Sequence, residues 1–481
     1  MGRKNSPIYN QELNDLIAQY EAAKADNRQL YLDSDQLSSI ADQYASEKRF
    51  KETQEVIDYG LQLHPGSTDL LVEQAYLYLD TQRIHQAKEV TDSITEDYET
   101  TVKMLKAELL LNEGQLEAAQ NLVKTIEESD DLENIIDVIY LFLDLGYPEA
   151  AKEWLDNANA QYKDDEDYIA VTADYLAATN QLEAASEHYD RLIDIDPFNP
   201  AYWMGLAKNR FIEEDYEKAI EACDFALAAD DKYGEAYAYR AHCYFSLNNS
   251  EASIENYRKA MEFKSIPPEL CYMFIGMSHS SNEEWKEADE CYRNVIRIFE
   301  EKGDSNSPLL VDTYTSAAIA TFNLGNREEA HELCDKALAI SPNDSNVYLA
   351  EGKLFLKEEA DKQAFECFKI ALSDNPTAEM WYMIGSTYSE EDMLYQTKLC
   401  FEEAYKLDPN YADVTEKLSI LCLMHNEIDD FFKYNSECEQ PIDENTILDL
   451  ISQYEKSDEG KNILLEVWER MKKEKENNNS N

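Results

Sequence analysis

The amino-acid sequence predicts an all-α solenoid of repeated helix pairs, and three observations lead there. The chain has 481 residues, too many for one ordinary compact core. It has only 13 Gly and 12 Pro beside 44% apolar and 30% charged residues, a helical composition rather than one rich in β-turns. Finally, one helical pattern recurs along most of its length.

The pattern is a ladder of small residues. In "DYEKAIEACDFALAAD", "NREEAHELCDKALAISP" and "DKQAFECFKIALSDNP" the sets Ala219/Cys223/Ala226, Ala330/Cys334/Ala337 and Ala364/Phe368/Ala371 share one spacing, which places each set on one helix face. The first rung recurs at Thr53, Ala87, Ala119, Ala151, Ala185, Ala219, Ser253, Ala288, Ala330, Ala364 and Thr397, with Phe431 at the twelfth place. The steps are 34, 32, 32, 34, 34, 34, 35, 42, 34, 33 and 34 residues. A second series of small residues, Ala41, Ala75, Ala107, Ala173, Ala207, Ala241, Gly276, Ala318, Gly352 and Gly385, marks first helices whose backbones must approach a neighbour closely. Pro65, Pro197, Pro342, Pro376 and Pro409 follow second helices, which they cannot extend.

These motifs resemble the tetratricopeptide repeat (TPR) family, from Ser34 to about Tyr434, and the chain is similar to long bacterial TPR arrays. Trp381-x2-Ile384-Gly385-x2-Tyr388, completed by Phe401, Ala404 and Pro409, follows the family pattern. Tyr272-x2-Ile275-Gly276-x2-His279 is a near match, Tyr237-x3-Ala241-x2-Tyr244 and Tyr348-x3-Gly352-x2-Phe355 are looser ones, and Leu37-x2-Ile40-Ala41-x2-Tyr44 opens the series. The resemblance implies a right-handed superhelical solenoid of helix-turn-helix repeats with helical caps. The organisation expected is 1–33 as an N-terminal cap, 34–199 as acidic repeats and 200–411 as Met- and aromatic-rich repeats. A degenerate repeat at 412–438, capping helices at 439–472 and a disordered tail at 473–481 follow. The long step contains "EKGDSNSP", Glu301 to Pro308, which is either an extended second helix with a loop or an insertion. D-L-I-x-Q-Y-E occurs at Asp15–Glu21 and at Asp449–Glu455, as two amphipathic capping helices would require.

Charge and cysteine usage narrow the function classes. With 99 acidic against 43 basic residues, net −56, the chain repels phosphate backbones, so no nucleic-acid partner is expected. Nine cysteines without a CxxC pair fit a reducing, cytoplasmic setting. No stretch has the apolar length of a membrane span. "MGRKNS" fits the short pattern for acylation at Gly2, but reads more simply as a disordered start. Phosphate-cradle and nucleophile-elbow motifs are missing, and "HELCD" from His331 has Asp335 where a second metal-binding His would stand. No catalytic residue, metal or cofactor is expected.

The resemblance places a partner-binding groove along the first helices. Carried over by position, its first half is acidic: Asp42, Glu73, Glu108, Asp137 and Asp174, with Tyr76 and Tyr140 interleaved. Its second half is Met204, Lys208, Phe211, Tyr239, His242, Phe245, Met273, Phe274, Met277, Phe322, Leu349, Lys353, Leu356, Tyr382 and Met383, an adaptable apolar wall. Lys208 and Asn209 are followed by His242 and Met277, which does not make the carboxylate clamp that related domains use for chaperone tails. The expected function is a non-catalytic interaction scaffold binding a protein or peptide partner, basic or amphipathic in character. The alternatives are an accessory subunit of an enzyme or transport complex, or a self-associating homo-oligomer similar to the TPR arrays of the anaphase-promoting complex.

Overall fold

The computed structural model describes residues 7–26, 28–96, 98–127, 130–373, 376–453 and 459–478. Among them are 27 α-helices and no strand. They fall into two compact units, residues 1–243 and 244–481.

In the first unit α1 (Pro7–Ala25) precedes six helix pairs. These are α2 (Ser34–Ser46) with α3 (Phe50–Leu63), α4 (Thr68–Asp80) with α5 (Ile84–Ser93), and α6 (Thr100–Asn112) with α7 (Leu116–Val123). Then come α8 (Leu132–Asp144) with α9 (Pro148–Tyr162), α10 (Glu166–Ala178) with α11 (Leu182–Ile195), and α12 (Pro200–Ile212) with α13 (Tyr216–Ala229). The boundary between units falls inside α14 (Gly234–Ser246). The second unit continues with α15 (Ser250–Glu262), α16 (Pro268–Ser281), α17 (Trp285–Lys302), α18 (Pro308–Asn323) and α19 (Arg327–Ile340). After α20 (Ser345–Lys357), α21 (Asp361–Ala371), α22 (Ala378–Glu390) and α23 (Leu394–Leu407) come α24 (Val414–Met424), α25 (Ile428–Asn435), α26 (Glu444–Gln453) and α27 (Glu459–Asn478).

Local chemistry sets the helix ends. Asp33 and Gln36 form a capping box on α2, and the Asp344 carboxylate accepts the N–H groups of Asn346 and Val347 at 3.0 and 3.2 Å, satisfying donors that lack an intrahelical partner. Within most pairs the turn passes through one left-handed residue. Often it is not glycine: Lys48, Gln82, Asn180, Glu214, Glu283, Glu359, Asp392 and Asn426 have φ between 54° and 60°.

The ladder residues are buried, and the glycines fit against rings. A Cβ on Gly276, Gly352 or Gly385 would lie 2.7, 2.3 or 2.7 Å from Cε1 of Tyr292, Phe368 or Phe401, the aromatic sixteen residues later. The Trp381–Tyr388 motif is therefore a packing notch: Gly385 admits the Phe401 ring. Gly205 does the same for Tyr189 of the preceding helix, with Cε1 2.2 Å from the added carbon.

The long step is an extended second helix. α17 runs for 18 residues and ends at Gly303 in the left-handed region, φ 68°. Phe431, too bulky for an ordinary rung, is fully buried with Phe401, Leu418, Cys422, Ile447 and Val467. It fits because α26 and α27, rather than another first helix, cover that end. α27 continues to Asn478, so residues 473–478 are helical where a disordered tail was expected. The acylation pattern at Gly2 and residues 479–481 lie outside the described residues, as does the end of the second D-L-I-x-Q-Y-E copy.

Candidate functional site

In the first unit, successive first helices bring carboxylates and tyrosines onto one face. Asp42 on α2, Glu73 and Tyr76 on α4, Glu108 on α6, Asp137 and Tyr140 on α8, and Asp174 on α10 are all half-buried. Ser38 donates to Glu73 Oε1 at 3.1 Å, and the hydroxyls of Tyr140 and Tyr189 donate to the two oxygens of Asp174. Burial, reinforced by Asp80 and Asp144, pushes the Glu108 carboxyl up to about 7. Burial also raises Asp137. The Tyr76 phenol is raised by burial and then by Glu108, Glu73 and Asp137, so these groups share one electrostatic neighbourhood. At Glu108 and Asp137, then, burial disfavours the charged carboxylate.

Next along the same unit stands an aromatic cluster. Phe211 on α12 meets Tyr239 on α14 edge-on with centroids 5.6 Å apart, and His242 lies 6.3 Å from Phe211 and 6.5 Å from Tyr239. The Lys208 ammonium pairs with Glu235 at 2.8 Å and sits 5.8 Å from the Tyr239 ring. Burial lowers the His242 pKa, which keeps the ring neutral near pH 7. Asn209 is buried and donates to Ser186 Oγ at 3.3 Å, so it is committed to packing.

In the second unit the expected residues disperse. Phe274 stacks on Tyr257 with centroids 5.2 Å apart, Lys353 pairs with Glu390 at 2.7 Å, and Phe245 and Met277 are half-buried. The Tyr382 hydroxyl accepts from Lys417 Nζ at 2.6 Å and donates to Asp413. Met383 is exposed.

Five expected groove residues are corrected. Met204, Met273, Phe322, Leu349 and Leu356 are all buried, because they point into the packing between neighbouring helices rather than along the open face. Thr313 even donates to Met273 Sδ at 3.7 Å. Conversely, Ile420 and Met424, one turn apart on α24, are exposed. Reading α24 as degenerate hid them, although their i,i+4 spacing was visible. Among the described residues no group of three His, Cys, Asp or Glu side chains could hold a metal ion, and no helix is long and apolar enough to cross a membrane.

Stacked helix pairs presenting side chains along successive first helices define the class of repeat scaffolds. The chain carries tetratricopeptide repeats: Tetratricopeptide repeat models match residues 170–234, 234–266 and 378–411. Anaphase-promoting complex subunit 7 of Dictyostelium discoideum is 23% identical over 243 residues, 50% of this chain and 40% of that protein. RNA polymerase II-associated protein 3 of Xenopus laevis is 26% identical over 226 residues, 44% of this chain and 31% of that protein. The chain thus spans well under half the length of these relatives. Among solved structures, yeast Tom70 covers 92% of this chain and 96% of its own at 13% identity, with a TM-score of 0.45.

Proposed function

We propose that the chain is a non-catalytic, cytoplasmic scaffold that captures a basic amphipathic segment of a partner protein along its first-helix face. The observation that supports this most is the sequence of surfaces within one unit. Half-buried carboxylates on α4 to α10 lead to the Phe211–Tyr239–His242 cluster on α12 and α14. Rigid aromatic rings supply anchoring area at small entropic cost. A Lys or Arg brought to Glu108 and Asp137 would favour the charged carboxylates that burial now disfavours.

Panning random peptides on the full chain tests this reading. Selected peptides should carry Lys or Arg and apolar residues at helical spacing, and should lose about tenfold or more in affinity to Phe211→Ala/Tyr239→Ala. Peptides that bind that variant equally well would refute it. A second reading, a subunit of a larger assembly, is favoured by the match to anaphase-promoting complex subunit 7. It predicts a high-mass complex by native size-exclusion of cell extract; a chain eluting alone contradicts it.

A further inference from the structure

A different surface lies on the first unit, at the turn between α11 and α12. Ile195, Phe198 and Phe225 are exposed to 51, 80 and 46%. Trp203 joins them: its ring stacks on Phe225 with centroids 4.5 Å apart, and its Nε1 donates to the Pro197 carbonyl at 2.9 Å. The backbone beneath is fixed. The Asp196 carboxylate accepts the Phe198 N–H at 3.0 Å, the Asn199 side chain accepts the Ala201 N–H at 3.0 Å, and Pro200 opens the helix.

The turn itself does not call for an aromatic. The same carboxylate-to-N–H bond, at 3.0 Å in each case, joins Asp230 to Lys232 and Asp408 to Asn410, so Lys and Asn occupy the place that Phe198 takes here. Folding therefore leaves Phe198 unexplained, and exposed large apolar side chains held on a stiff backbone beside the Trp203–Phe225 stack are the mark of an interface. Its surroundings select the occupant. Segments 194–198 and 225–232 carry Asp194, Asp196, Asp230 and Asp231 against Lys232 alone. A second copy of a chain of net charge −56 is disfavoured at such a face, and a cationic partner is steered towards it.

We propose that the α11–α12 turn and the exposed side of α13 dock a basic amphipathic helix of a partner protein, separately from the first-helix face. Its apolar stripe would seat on Phe198, Phe225, Trp203 and Ile195, with Lys or Arg flanking it opposite the four aspartates. The test uses a photoreactive Lys/Leu amphipathic peptide of about four turns on the full chain, with adducts mapped by mass spectrometry. The expected result is adducts on residues 195–203 and on Phe225 that persist in Phe211→Ala/Tyr239→Ala, fall about tenfold or more in Phe198→Asn, and are absent with a Glu/Leu peptide. Adducts that ignore Phe198→Asn, or that form equally with the Glu/Leu peptide, would overturn the proposal. So would a wild-type dimer in light scattering that Phe198→Asn dissociates, since a second copy would then be the occupant.

Discussion

Replacing Gly352 by Ala sets two effects against each other. Alanine is favoured over glycine in a helix interior by about 1 kcal/mol. The added carbon, however, would stand 2.3, 2.8 and 2.9 Å from Cε1, Cδ1 and Cζ of Phe368. That ring cannot retreat freely, because Tyr388 packs against it with centroids 5.3 Å apart and Phe368 is itself buried. Overpacking of this kind costs about 3 kcal/mol at the upper end of the usual range, so the net expectation is a loss of about 2 kcal/mol. A repeat array need not unfold in one step, so the loss should be read by hydrogen exchange of the α20 and α21 amides rather than from one melting temperature. The cycle with Phe368→Leu isolates the contact: Gly352→Ala should cost far less in that background. A Gly352→Ala protein with unchanged or increased protection would show that the notch is not needed, and the ring-in-notch account would fail.

Other perturbations follow from the same geometry. Glu108 binds its proton more tightly in the folded state, about 7 against an ordinary 4.5, so its contribution is greatest below about 4.5 and is lost as pH rises to about 7. At about 1.4 kcal/mol per pH unit the ceiling is about 3 kcal/mol. Glu108→Gln should flatten urea midpoints across that window and raise stability at pH 8; an unchanged slope would contradict this. Glu359 holds φ 59° on an exposed turn, so Glu359→Gly should gain a few tenths to about 1 kcal/mol in denaturant titration, and a loss would show that the side chain contributes there. Because Asp174 accepts from two tyrosines, Tyr189→Phe should cost about 1–2 kcal/mol and loosen α10 in hydrogen exchange. Burial raises the thiols of Cys243, Cys271 and Cys334 to about 12, so native alkylation at pH 8 should modify them far more slowly than in urea.

Much of the fold could be read because its period and its physics coincide. Gly276, Gly352 and Gly385 sit sixteen residues before Tyr292, Phe368 and Phe401, and those pairs are the contacts formed. The face of each first helix was harder to assign. Leu349 and Leu356 share a helix with Lys353, yet packing against neighbouring helices buries the leucines while Lys353 reaches Glu390. Only the angle between neighbouring pairs decides this, and the sequence does not state that angle. The left-handed turns at Glu214, Glu283 and Glu359 were hidden because glutamate does not advertise a positive φ. Phe198 was visible as a letter in a Pro-Phe-Asn turn. Its exposure of 80% is a tertiary property that the letters of the turn do not carry.

The central claim, capture of a partner along the first helices, is tested most directly by photo-crosslinking in the native cell. A photoreactive residue replaces Tyr239 in one version of the chain and Glu117, exposed on α7, in another. The account predicts adducts from position 239 that map to a basic, amphipathic segment of a partner protein, with none of that partner from position 117. Adducts from 117 without any from 239 would place the working surface on the second helices and contradict the account.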